Sequence, residues 1–72
     1  MRRAVTTQEL REAVRRLSLI AEKPLHLDGA YGGYRVEDGT RHEDFLGTGY
    51  VPKRKLLETI DAILVFERKR AR

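Results

Sequence analysis

Apolar side chains recur every three or four residues in the first third of the chain, which is the spacing of one face of an α-helix. This stripe consists of Leu10, Ala13, Val14, Leu17 and Ala21. Upstream of it, Thr6 and Glu9 have the spacing of a capping box, in which each side chain accepts a hydrogen bond from the other residue's backbone amide. Pro24 disfavours helical geometry at the residue before it. The pattern predicts a helix over residues 7 to about 22.

The same spacing returns in the last third of the chain. It begins after Pro52, a residue suited to the first helical position. The apolar face consists of Leu56, Leu57, Ile60, Ile63 and Leu64. Val65 and Phe66 widen this face, so we expect the second helix, residues 52 to about 69, to be more enclosed than the first. The broad apolar face also makes a homodimer plausible.

Between the two helical segments, apolar and polar residues alternate, which is the period of a β-strand with one buried face. The apolar positions are Leu25 and Leu27, then Tyr34 and Val36. Residues 40–51 are compatible with either a third strand or a loop. The order helix, two or three antiparallel strands, helix predicts an α+β fold in which both helices pack on one face of the sheet.

The stretch AYGGYRVEDG, residues 30–39, admits two interpretations. In the first, Gly32 and Gly33 form a hairpin turn and the flanking tyrosines face each other. In the second, one long bent strand runs through residues 25–37, the tyrosines cover the bare glycine backbone, and Asp38-Gly39 forms the tight hairpin. We favour the second interpretation, because the first leaves a very short middle strand.

The length and the charge of the chain reduce the number of candidate functions. The 72 residues form one small domain, 1–72, with no cysteine, so neither a disulfide nor a cysteine-based metal site stabilises it. The net charge of +4 is divided unevenly: residues 1–27 carry +3, residues 28–51 carry −3 and residues 52–72 carry +4. We expect flexible basic ends at residues 1–4 and 70–72. Basic segments suit phosphate or other acidic surfaces.

Three consecutive cations, Lys53, Arg54 and Lys55, stand at the predicted start of the second helix. Positive charge there opposes the helix dipole, whereas the free amides of a helix start favour phosphate. A feature that violates a local rule suggests a function. Our main hypothesis is therefore a nucleic-acid-binding protein that contacts phosphate. Its remaining candidate contacts are Arg35, Arg15 and Arg16.

The aromatic-Gly-Gly-aromatic-Arg run, Tyr31 to Arg35, followed by a glycine-containing connection and the helix start at residues 53–57, resembles small uncharacterised proteins of phages and proviruses. The likeness covers about residues 29–64. Pro52 and Lys55 depart from the pattern, which more often has a hydroxyl residue and a Glu there. The resemblance implies an origin on a mobile element and no particular activity. It motivates an alternative hypothesis, a phage effector that binds a host protein either through the acidic segment 37–44 or through an apolar patch around Tyr31, Tyr34 and Tyr50.

The sequence lacks the residues and motifs that nucleophilic catalysis, cofactor binding and zinc binding require. Ser18 is the only serine and lies within a predicted helix, and no nucleotide or cofactor motif is present. The two histidines and their acidic neighbours match no zinc spacing. We therefore expect no enzyme, no cofactor and no metal. No apolar run approaches the length of a membrane span, and we expect a cytoplasmic protein. The absence of Asn, Trp and Cys also fits a thermophilic source.

Overall fold

The structure is a computed structural model. It describes residues 4–70, and their side chains as far as Arg68. Its elements follow the order helix, three strands, helix. The elements are α1 (Thr7–Ala21), β1 (Leu25–Ala30), β2 (Gly33–Asp38), β3 (Glu43–Asp44) and α2 (Lys53–Arg70). The strands form one antiparallel sheet in the order β1-β2-β3. This confirms the predicted α+β class. Residues 1–3 and 71–72, within the expected flexible ends, lie outside the described residues.

α1 begins at the predicted capping box. The amide of Glu9 donates to the Thr6 hydroxyl at 3.1 Å, and the amide of Thr6 donates to the Glu9 carboxylate at 3.3 Å. The helix ends at Ala21, one residue before the predicted boundary, because Glu22 takes a left-handed conformation. Its inward face consists of the buried residues Leu10, Ala13, Val14 and Leu17. The hydrophobic period thus identified both the helix and its core face.

α2 begins at Lys53, one residue later than predicted, and the amide of Leu56 donates to the Pro52 carbonyl at 3.1 Å. Leu56 and Ile60 are fully buried, but Val65 is 48% exposed and Phe66 60% exposed. The expectation that the second helix would be the more enclosed one is wrong. At about 100° per residue, Val65 lies about 140° around the helix from Ile60. It therefore points away from the sheet.

The turn between β1 and β2 contradicts the favoured interpretation of the central stretch. Ala30 pairs with Gly33, so Tyr31 and Gly32 form a two-residue hairpin turn. Their φ angles of 53° and 74° are both positive, as a type I′ turn requires. Residues 25–37 are therefore not one bent strand. The tyrosines do not face each other: Tyr34 packs across Gly29, its Cε1 atom 3.1 Å from where a Cβ would stand.

The Asp38-Gly39 hairpin prediction is also wrong. Asp38 pairs with Glu43, so the β2–β3 connection is a four-residue turn over residues 39–42. The carboxylate of Asp38, only 4% exposed, accepts the amides of Thr40 at 2.8 Å and Arg41 at 3.3 Å. Asp38 thereby closes a wider turn than Asp-Gly alone suggests. Residues 40–51 combine both alternatives, a very short strand and then a loop that returns to β2.

Both helices cover the same face of the sheet. Residues directly opposite each other in an antiparallel pair share a face, so Leu27 and Val36 point to the same side. With Leu25 they join the apolar faces of α1 and α2 in one core. Gly33 allows the returning loop to pass closely, since a Cβ there would lie 3.0 Å from the Val51 nitrogen. The opposite face of the sheet is left to polar residues.

Replacing Leu56 by alanine is expected to lower the free energy of unfolding by about 2–5 kcal/mol, since Leu56 is fully buried and its loss leaves a cavity. The matched control is Leu19→Ala on α1, where the side chain is 68% exposed. There we expect a change of about 0.5 kcal/mol or less. Urea unfolding followed by circular dichroism measures both, and equal losses would show that the core is placed wrongly.

Candidate binding surfaces

The outer face of the sheet, opposite the helices, carries two cross-strand pairs that each contain a carboxylate. His26 lies opposite Glu37, with its Nε2 atom 2.6 Å from a carboxylate oxygen. Asp28 lies opposite Arg35, whose Nε donates to it at 2.9 Å. Both pairs follow directly from the β1–β2 register, since each partner sits opposite the other. Arg35, one of the predicted phosphate contacts, is therefore held by a carboxylate.

Tyr50 completes a cluster at the hairpin end of this face. Its hydroxyl donates to Asp28 at 2.6 Å, and the Arg35 guanidinium lies 4.8 Å from the centre of its ring. Tyr31 meets the same ring edge-on, with the two centroids 5.2 Å apart. We call these four residues, Asp28, Tyr31, Arg35 and Tyr50, the hairpin-end cluster. Tyr34, the third tyrosine predicted for a protein contact, lies on the opposite face of the sheet.

The loop between β3 and α2 is what places Tyr50 in the cluster. The carboxylate of Asp44 accepts the amides of Gly47 at 3.0 Å and Gly49 at 2.6 Å, which folds the loop back on itself. Val51 then bridges to Tyr34 by two backbone hydrogen bonds of 2.8 and 2.9 Å. Tyr50 is thereby fixed between two anchored residues. Its position is a property of the folded loop, which the spacing of the sequence does not reveal.

The ionisation of the hairpin-end cluster follows from its hydrogen bonds. The pKa of Asp28 is lowered, first by the Tyr50 hydroxyl and then by Arg35, because both donate to the charged carboxylate. The same bonds raise the pKa of Tyr50 and that of Arg35. The positive charge of Arg35 is thus compensated within the cluster. Outside the cluster, the pKa of Asp38 is lowered chiefly by the backbone amide of Thr40.

The start of α2 differs from that of α1 in its electrostatics. α1 has a capping box and Glu9 in its first turn, whereas α2 follows Pro52 and has no acidic residue in its first turn. Lys53 lies with its Nζ 5.8 Å from the centre of the Tyr34 ring. It borders an open depression of about 390 Å³ next to the hairpin. The other residues around this depression are Gly29, Ala30, Gly32, Gly33 and Tyr34.

The six predicted basic contacts are divided among four parts of the surface. Lys53, Arg54 and Lys55 remain together at the start of α2, whereas Arg35 lies on the outer face of the sheet. Arg15 lies on α1 beside β1 and pairs with Glu12 at 3.1 Å. Arg16 turns to the other side of α1, into a groove shared with α2. The structure brings together only the first three.

Sequence reasoning missed the structural carboxylates. Asp28 organises the hairpin-end cluster, Asp38 closes the β2–β3 turn and Asp44 folds the following loop. A signal existed for Asp44, because an Asp shortly before two glycines is typical of an Asx-type turn. No comparable signal existed for Asp28, whose partner Tyr50 is 22 residues away in sequence. Its role depends on the register and on the loop together.

Two further kinds of site, a serine nucleophile and a metal site, can be examined in the described residues. Ser18 is used structurally, since its hydroxyl donates to the Lys23 carbonyl and accepts the Leu25 amide at 3.2 Å. Within residues 4–70, no group of three or more His, Asp or Glu side chains is arranged to hold a metal ion. In the same range, no helix has the length and apolar character to cross a membrane.

No protein-family model matches this sequence, and comparisons with curated proteins and with solved structures give no match either.

Acid is expected to remove the stabilising contribution of Asp28. A carboxylate whose folded pKa is lowered contributes stability above its unfolded pKa of about 3.9 and loses it as the pH falls through the lower folded value. Urea unfolding from about pH 6 to about pH 2 should therefore show a gap between wild type and Asp28→Asn that closes on acidification. A gap of constant size would contradict the assigned cause.

Lys55→Glu is expected to raise the free energy of unfolding by about 0.3–1 kcal/mol, because a negative charge in the first turn favours the helix dipole. Lys55 is exposed, so the substitution disturbs no packing. Thermal unfolding at low salt measures the gain, and high salt should reduce it. The control is Glu58→Gln, also exposed on α2 but beyond the first turn. A loss of stability in Lys55→Glu would mean that the lysine serves the fold.

Proposed function

We propose that this protein is a small non-enzymatic binding protein that contacts nucleic-acid phosphates through Lys53, Arg54 and Lys55 at the start of α2. The observation that carries the proposal is the contrast between the two helix starts. One chain contains a complete capping box on α1 and three consecutive cations on α2. The second arrangement opposes the helix dipole and is compatible with an anion from outside. The resemblance to phage and provirus proteins remains a prediction of origin.

Elementary electrostatics supports phosphate at this position. The first amides of a helix point outward, and their partial charge adds to that of nearby lysines. Within the described residues, no carboxylate forms an ion pair with Lys53 or Lys55 at 4 Å or less. The depression beside Lys53 is bordered by three glycines and Ala30 of the hairpin and by the Tyr34 ring, so a phosphate backbone can approach the glycine side closely.

The proposal assigns different weights to the remaining basic residues. Arg35 is occupied by Asp28 and stacked on Tyr50, so it is not a phosphate contact in the free protein. Arg15 and Arg16 contribute only long-range positive potential. Contacts to phosphate fix position and carry no sequence information directly. The expected binding is therefore weakly selective among sequences and strongly dependent on salt.

A second candidate function, an effector that binds a host protein, is favoured by Tyr31. Its side chain is 92% exposed, and its φ of 53° suits glycine or asparagine better than tyrosine. A residue kept at a strained turn position with its ring in solvent is a functional candidate. Its contact with Tyr50 gives a partial structural reason. The binding titration below separates the two candidates, since an effector of this kind needs no phosphate contact.

Binding to single- and double-stranded DNA and RNA is expected to weaken steeply between about 50 and about 200 mM salt. In Lys53→Ala/Lys55→Ala, the slope of log affinity against log salt should fall by about two units, about one for each lost phosphate contact. Arg54 is retained, so that the variant tests the two lysines alone. Fluorescence anisotropy with labelled oligonucleotides measures both quantities.

The matched control is Arg11→Ala/Arg41→Ala, which removes two exposed positive charges at other places. It should lower the affinity slightly through net charge and leave the slope near that of the wild type. Equal slopes in the two variants would refute a localised site at α2. Absence of binding at about 50 mM salt would reject the nucleic-acid function and favour the effector candidate.

A further inference from the structure

β1 presents an open strand edge. Tyr34 exchanges two hydrogen bonds with Val51, and the Val36 carbonyl accepts the amide of Phe45 at 2.9 Å, so both residues of β2 direct their backbone away from β1. Gly29 is the cross-strand partner of Tyr34, and Leu27 is that of Val36. The amides and carbonyls of Gly29 and Leu27 therefore point away from β2. Within residues 4–70, no strand pairs with that side of β1.

The residues of this edge alternate between bonded and available groups. His26, Asp28 and Ala30 use their backbone in the β1–β2 ladder, while Leu27 and Gly29 face the edge. The Leu25 amide is already satisfied by the Ser18 hydroxyl at 3.2 Å. β1 contains neither proline nor lysine, residues that commonly block an edge against another strand. The edge is thus chemically able to accept one more strand.

A groove accompanies the open edge on the side of the helices. It has a volume of about 340 Å³ and lies between α1 and β1. Its apolar wall includes Val14, Leu19, Leu25 and Leu27, and two arginines, Arg11 and Arg15, border it. A strand added to β1 would direct alternate side chains to this side of the sheet. Those side chains would meet a surface that is apolar at its base and positively charged at its margin.

We propose that the β1 edge binds an extended segment of a partner protein by strand addition, and that this segment carries acidic and apolar side chains. Backbone hydrogen bonds to Leu27 and Gly29 supply the pairing, as in other complexes formed by adding a strand to an open sheet edge. Arg11 selects for acidic residues by charge complementarity. Arg15 adds to this selection, because its pair with Glu12 is exposed to solvent and therefore weak. The site is distinct from the start of α2, so the inference goes beyond the proposed nucleic-acid contact and does not depend on it.

A second copy of this chain fits the edge less well than an acidic partner. Antiparallel self-pairing about Leu27 would place His26 of one copy opposite Asp28 of the other, which is favourable on the outer face. On the helix side, however, the same pairing brings the α1 helices of both copies to one seam. Arg11 and Arg15 border the groove there without an acidic residue in its wall, so like charges would meet. An acidic segment removes this repulsion.

The test uses the full chain and two blocked synthetic seven-residue peptides. Side chains one, three, five and seven, which share one face of a strand, are Glu, Val, Val and Glu in the Val-Glu peptide and Lys, Val, Val and Lys in the Val-Lys peptide, with Thr at the three intervening positions. Amide hydrogen exchange is followed by NMR. The Val-Glu peptide should slow exchange at Leu27 and Gly29 at least tenfold at saturation, while His26 and Asp28, already bonded within the sheet, change little. The Val-Lys peptide should bind at least tenfold more weakly.

A charge-reversal variant tests the selecting residues. Arg11→Glu/Arg15→Glu leaves the β1 backbone intact and should exchange the preference, so that the Val-Lys peptide binds more tightly than the Val-Glu peptide. Circular dichroism verifies that the variant is folded, and Arg16→Glu/Arg41→Glu, which makes the same change of charge elsewhere, should retain the original preference. Absence of protection with either peptide would refute the proposal. Protection that grows with protein concentration without peptide would assign the edge to a second copy, which also overturns it.

Discussion

The two-residue turn at Tyr31-Gly32 fixes the register of β1 against β2, and the rest of the molecule depends on that register. Side chains alternate between the faces of a strand, so a slip of one residue would send every side chain of β1 to the opposite face. In the observed register, Leu27 and Val36 meet beneath the helices, and Asp28 meets Arg35 on the outside. The core, the hairpin-end cluster and the available edge of β1 thus have one common cause.

The sequence predicted the parts of the fold that depend on local pattern. The capping box located the start of α1, and the helical period identified Leu10 and Leu56 as core residues. The local pattern did not predict the Tyr31-Gly32 turn between β1 and β2, because Asp-Gly is a stronger turn signal than Tyr-Gly. The outcome was decided by tertiary structure: the observed turn joins two strands of six residues each, and Asp38 is used as a buried acceptor instead.

The candidate surfaces divide in the same way. The three cations at residues 53–55 are visible in the sequence, because they are consecutive and their position at a helix start follows from the period. Asp28, Arg35 and Tyr50 are not visible as a group, because their contact requires the register and the folded loop after β3. Residue type groups Tyr34 with Tyr31 and Tyr50, but strand alternation places Tyr34 on the opposite face of the sheet.

The acidic centre of the chain acquires a structural explanation. Asp38 and Asp44 accept backbone amides, Asp28 accepts from Tyr50 and Arg35, and Glu37 lies 2.6 Å from His26. Much of the negative charge between residues 28 and 51 is therefore engaged by backbone amides in turns and by cross-strand partners.

This distribution links the two proposed binding surfaces. At low ionic strength, phosphate binding at α2 and an acidic segment at β1 would draw on the same positive potential, because the screening length grows from about 8 Å at physiological salt to about 30 Å at about 0.01 M. An acidic segment seated beside Arg11 and Arg15 would reduce the net charge of the protein and weaken its long-range attraction for nucleic acid. By linkage, bound nucleic acid would weaken the binding of the acidic segment to the same degree. The two ligands would therefore compete through charge without sharing a contact, and salt would relieve the competition.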